Sequence, residues 1–174
     1  FGVINSFDNN RLTTMNVDPD KIAFLPNPIT IPDQTRKGKK YFRDKTVQTL
    51  NLNPDKMIIT YPVRIIRRKN VGELILLSEL FHDKATFLVT LAPKNPVEIE
   101  YYEQWKHFCQ ANNLDNVMFE VGQHIGFEDL LRGSDRCITT SIREGFGMAY
   151  MEPWLYDTPV SGRNIGYITK DFFD

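Results

Sequence analysis

The chain has 174 residues, 41% hydrophobic and 25% charged, a globular composition that excludes a disordered polymer. Its formal net charge of -1 excludes a general nucleic-acid binder, so any anion site must be a local cluster. No apolar run approaches the roughly 20 residues needed to cross a bilayer, no N-terminal stretch reads as a signal peptide, and the cysteines and histidines show no zinc-ligand spacing. Taken in order, residues 1–32 read as a connector, not as a core. Asp18-Pro19-Asp20 precedes a strand-like run at 21–25, and Pro26-Asn27-Pro28 follows it. Residues 35–45 are basic and read as a solvated linker running into a helix.

From residue 33 onward, short apolar runs alternate with helical periodicity. Strands are expected at 57–61, bounded by Pro54 and Pro62, then at 85–91, at 117–121 before Gly122, at 137–140 and at 159–161. Helices are expected at 71–81, 101–111 and 127–131, with 148–156 helical in part. Tyr102, Trp105 and Phe108 form an aromatic stripe expected in the core, while Cys109 and Cys137 are expected as buried free thiols in a reducing cytosol. The alternation predicts right-handed βαβ units and an α/β, Rossmann-like, doubly wound parallel sheet. Residues 170–174 carry no cap or closing helix, so the second domain, 33–174, reads as C-terminally incomplete.

In such a sheet the ligand crevice lies at the carboxyl ends of the strands, where strand order reverses. For the commonest order, that point falls between the first and fourth strands of the sheet. The loop after the first carries Arg64, Arg67, Arg68 and Lys69 in a nearly neutral chain. Arg offers a planar fork and Lys a point charge, and both suit phosphate oxygens. The loop after the fourth reads Glu144-Gly145-Phe146-Gly147-Met148, with Glu152 beyond. Its glycines allow close backbone approach, and its carboxylates can exchange protons or accept hydrogen bonds from hydroxyls. Neither GxGxxG nor a Walker loop is present. Pro153 forces a choice: the helix begins near Tyr150, or it bends and redirects Glu152.

These residues resemble family 4 of the retaining glycosyltransferases. Glu144 and Glu152 reproduce the E-x7-E motif; Ser141 stands ahead of it and Thr158-Pro159-Val160 after it. Arg64 and Lys69 resemble the family's GRLxxxKN pattern, although Pro62-Val63 stands where it usually has Gly. Phe24-Leu25-Pro26-Asn27-Pro28-Ile29 resembles its interdomain segment, and Asn53-Pro54-Asp55-Lys56 resembles the stretch before the second domain. The resemblance implies the C-terminal half of a GT-B fold and transfer of a sugar, with retention, from a nucleoside-diphosphate sugar to an acceptor that is a sugar, lipid or small polyol. Arg64 and Lys69 would hold the diphosphate; Glu144 would contact the transferred sugar; Gly145, Phe146, Gly147 and Met148 would line the pocket; Glu152 would accept from the ribose. No metal or cofactor is implied. The missing partner is an N-terminal GT-B domain, through which a membrane surface could be reached, and the location implied is cytoplasmic. The alternative reading is an inactive nucleotide-sugar-binding fragment or scaffold. Arg67 and Arg68 are assigned to solvent or structure, and His124 to a structural or surface role rather than to the nucleotide base.

Overall fold

A computed structural model describes residues 1–33 and 36–172. The N-terminal stretch is more than a connector. It forms β1 (Gly2–Val3), α1 (Ser6–Thr14) and β2 (Ala23–Phe24), with β1 and β2 paired in parallel. The expected strand at 21–25 thus shrinks to two residues. The signal for α1 was present in the sequence, because the Asn5 side chain caps the Asp8 amide at 2.8 Å, an Asn-x-x-Asp start.

The remaining elements are α2 (Lys39–Leu50), β3 (Met57–Arg64), α3 (Val71–Leu80), β4 (Ala85–Leu91), α4 (Pro96–Ala111), β5 (Val117–Met118), α5 (Phe127–Gly133), β6 (Arg136–Thr139), α6 (Met148–Met151), β7 (Val160–Gly162) and α7 (Gly166–Thr169). The strands β5-β4-β3-β6-β7 form one sheet in that order, every pair parallel. The order reverses between β3 and β6, so the loops after these two strands flank the switch point, as the sequence predicts. Alternate residues divide between two layers. Tyr61, Val63, Ala85, Phe87 and Val89 pack with Val71, Leu74 and Ile75 of α3 and Tyr102 and Cys109 of α4. Ile58 and Leu88 point to the other face, against Leu50 of α2 and Leu130 of α5. Cys109 and Cys137 are buried and free.

Several boundaries differ from expectation for local reasons. β3 runs through Pro62 instead of ending there. The register with β4 shifts between Tyr61 and Arg64, a bulge that absorbs the missing N–H. α4 begins at Pro96 because Asn95 caps it, its side chain accepting from Val97 N at 3.1 Å with proline in the first turn. β5 stops at Met118: Glu120 is left-handed (φ 60°), and residues 121–123 form a 3-10 turn. Phe108 is not core. It is 47% exposed and packs edge-on against Trp105. α6 begins at Met148, not Tyr150, and gives way to a 3-10 turn over 152–156, so Pro153 sits at a change of helix type. The C-terminal residues expected to lack a closing helix are partly helical, α7 being followed by a 3-10 turn at 170–172; Phe173 and Asp174 lie outside the described residues.

Candidate functional site

The two loops at the switch point are sewn together before either presents a side chain. Tyr61, rising from β3, donates its hydroxyl to the Lys69 carbonyl at 2.9 Å and lies 2.7 Å from Ser141 Oγ. Thr140 Oγ1 donates to the same carbonyl at 3.0 Å, and Ile142 N donates to Arg68 O. Burial of these polar groups is tolerated because each finds a partner. The result is a rigid floor under a cleft of about 520 Å³ lined by Arg64, Arg68, Lys69, Glu144 to Ala149 and Glu152.

Glu144 is the electrostatic centre of that cleft. Its side chain is 5% exposed. Lys69 Nζ lies 2.5 Å from Oε1, and Arg68 donates to Oε2 at 2.9 Å and to the Arg143 carbonyl at 3.0 Å. Burial alone would raise the Glu144 carboxyl, but hydrogen bonds from Lys69 and Ser141 and the charges of Lys69 and Arg68 hold it below the usual carboxylate range. Burial lowers the Lys69 ammonium, with Glu144 opposing. An ionised, ion-paired carboxylate can only accept hydrogen bonds, and it keeps lone pairs free for a ligand hydroxyl. Its backbone is gripped too: the Tyr167 hydroxyl accepts from Glu144 N at 3.0 Å and lies 3.1 Å from Glu144 O.

Arg64 ends β3 and donates to the Ala92 carbonyl at 2.8 Å, which fixes its guanidinium at the rim. Gly147 has φ 91°, and a Cβ there would overlap Ile168; the chain can turn into α6 only with glycine. Gly145 is different, since a Cβ there meets nothing within 4 Å, so its smallness serves open space in the cleft. α6 is a single turn and supplies backbone N–H groups more than a macrodipole. Glu152 is half-buried; its backbone N–H donates to the Met148 carbonyl, and its carboxylate makes no hydrogen bond or ion pair among the described residues. Burial raises its carboxyl above the usual range.

All eight residues singled out from the sequence, Arg64, Lys69, Gly145, Phe146, Gly147, Met148, Glu144 and Glu152, line this one cleft. Arg67 does not: its guanidinium lies 5.0 Å over the Tyr101 ring and its amide donates to Glu98. His124 is exposed and outside the lining. The assignment of Arg68 to solvent or structure is incomplete, because it lines the cleft and contacts Glu144. Tyr167, Ile4 and Asn27 were missed; the last two reach the cleft from the N-terminal stretch, which local spacing cannot reveal. Among the described residues no three His, Cys, Asp or Glu side chains gather to hold a metal ion, and no helix is long and apolar enough to cross a membrane.

No family model matches the chain. It is similar to the mannosylglucosyl-3-phosphoglycerate synthase of Petrotoga mobilis, 29% identical over 158 residues, which cover 87% of this chain and 31% of that protein. The chain thus spans about a third of that relative's length. Among solved structures, it superposes on TarM of S. aureus, determined with fondaparinux, alpha-GlcNAc-glycerol and UDP, at a TM-score of 0.72 and 17% identity over 99% of this chain and 31% of TarM. It also superposes on HepE of Anabaena, determined with UDP and glucose, at 0.71 and 16% identity over 92% of this chain and 43% of HepE. At such identities the likeness speaks for the fold alone, an α/β, Rossmann-like doubly wound parallel sheet.

Proposed function

We propose that the cleft is the donor site of a retaining glycosyltransferase of family 4. It would take a nucleoside-diphosphate sugar, with the acceptor site formed together with an N-terminal GT-B domain. The observation that carries this reading is the meeting of a cationic loop and an E-x7-E glycine loop in one cleft at the strand-order reversal. Arg64 and Lys69 hold the diphosphate, with Arg68 beside them. Glu144 accepts from hydroxyls of the transferred sugar, Gly145 to Met148 line the pocket, and Glu152 accepts from the ribose. Transfer breaks the bond between the anomeric carbon and the diphosphate oxygen, and negative charge grows on the phosphates. Fixed cations and backbone N–H groups oppose that charge without reorganising. Glu144, already held by two cations, serves as an acceptor and not as a nucleophile. No metal or cofactor is needed in this scheme.

The TarM and HepE structures were determined with UDP, which makes UDP the first probe. Titration of UDP, GDP and ADP into the chain, with chelator present, should give saturable binding for one of them. Absence of binding by all three, or binding that appears only with a divalent ion, would count against the reading.

A further inference from the structure

Glu144 stands between exposed Arg143 and Gly145, where an added Cβ would meet nothing within 4 Å. Among the described residues, its backbone N–H and C=O share one partner, the Tyr167 hydroxyl. A hydroxyl carries one proton and two lone pairs, so Tyr167 can accept from Glu144 N and donate to Glu144 O together. Tyr167 belongs to α7, and α7 is held in turn by α1. The Phe7 and Tyr167 rings lie 5.5 Å apart, and Asp171 accepts from Ser6 N at 3.0 Å and from Ser6 Oγ.

We propose that Tyr167 is a positioning residue for Glu144: its hydroxyl fixes the Glu144 backbone so that the carboxylate meets Lys69, Arg68 and a donor sugar. The sugar part rests on the function proposed above; the backbone part does not. The N–H and C=O belong to the two peptide units on either side of the Glu144 Cα, so one hydroxyl that holds both restrains the Glu144 φ and ψ together. Released, Glu144 borders Gly145, which offers little resistance to turning, and the carboxylate can swing out of its ion pairs. The Phe7 ring of α1 steadies the Tyr167 ring, so the seating of the N-terminal segment is felt at Glu144.

Tyr167→Phe keeps the ring and removes only the hydroxyl. In the intact chain, amide hydrogen exchange of Glu144 should speed up about tenfold in this variant, while amides within β3 and β4 keep their protection. UDP-glucose affinity should fall about tenfold, and UDP affinity should stay within about twofold. Phe7→Ala should speed Glu144 exchange in the same direction. Unchanged Glu144 exchange in Tyr167→Phe overturns the proposal. So does an equal loss of affinity for UDP and UDP-glucose, which would mark a general structural role. If the unaltered chain binds neither ligand, the donor reading fails, and the exchange comparison still decides the role of Tyr167.

Discussion

Glu144 and Glu152 sit eight positions apart and face opposite electrostatic circumstances. The Glu144 carboxyl lies below its ordinary value, so it adds stability above the unfolded value that is lost as pH falls through the folded one. Glu144→Gln should therefore destabilise the chain at neutral pH, by up to about 3 kcal/mol since it leaves Lys69 buried without its anion. It should also flatten the loss of stability that sets in as pH falls below the unfolded carboxylate value. Glu152 has the reverse sign. Burial raises its carboxyl, so stability is lost as pH rises from the unfolded value through the higher folded one, and Glu152→Gln should unfold at the same or higher temperature at neutral pH. Thermal unfolding against pH checks both, and a fall in Tm for Glu152→Gln would contradict the assignment. A half-buried carboxylate kept without a partner suggests use by a ligand. At the phosphate side, Arg64→Ala should weaken UDP binding by roughly ten- to a hundredfold, the worth of a charged hydrogen bond. Unchanged affinity by calorimetric titration would remove Arg64 from the site. The charged site residues were legible because charge stands out in a nearly neutral chain. Arg68 and Tyr167 were not, since their value lies in contacts with Glu144 across 76 and 23 positions.

Each element boundary that the sequence misplaced has a nameable cause. Alternating apolar runs located all five strands of the main sheet, yet β3 outlasted Pro62 by means of a bulge, and that extension makes Arg64 the last residue of a strand. α1 and α4 begin at asparagine caps, a signal weaker than apolar periodicity and easily passed over. The glycine loop separates two kinds of glycine. Gly147→Ala forces a Cβ toward Ile168 at φ 91° and should cost about 1–3 kcal/mol. Gly145→Ala should leave unfolding unchanged within about 0.5 kcal/mol and still lower UDP-glucose affinity, because its methyl would enter the space left for the ligand. Denaturant unfolding of both variants tests this. Equal destabilisation would show that Gly145 is needed by the fold and not by the cleft.

At the scale of the whole molecule, the sheet order does most to define function. The reversal between β3 and β6 brings residues about 80 positions apart into one cleft, and no local pattern could place them there without a topology. The order was predictable from the commonest doubly wound arrangement. The reach of Ile4 and Asn27 into the cleft was not, because it depends on how the N-terminal stretch folds back. On the function proposed above, these 174 residues alone should bind donor yet transfer sugar slowly if at all, since the acceptor site is proposed to form together with an N-terminal GT-B domain. Radiolabelled transfer to glycerol or simple sugars checks that, and rapid transfer would show that the second domain is dispensable.

The division of labour between the two glutamates is tested most directly by titrating UDP and UDP-glucose in parallel into the chain and into Glu144→Ala and Glu152→Ala. Glu152→Ala should weaken both ligands by the same factor, because both carry the ribose. Glu144→Ala should leave UDP nearly unchanged and abolish whatever affinity glucose adds, because its contacts are to the sugar. Loss of UDP binding in Glu144→Ala with none in Glu152→Ala would reverse the two roles, and no effect of either substitution on either ligand would remove the donor site from this cleft.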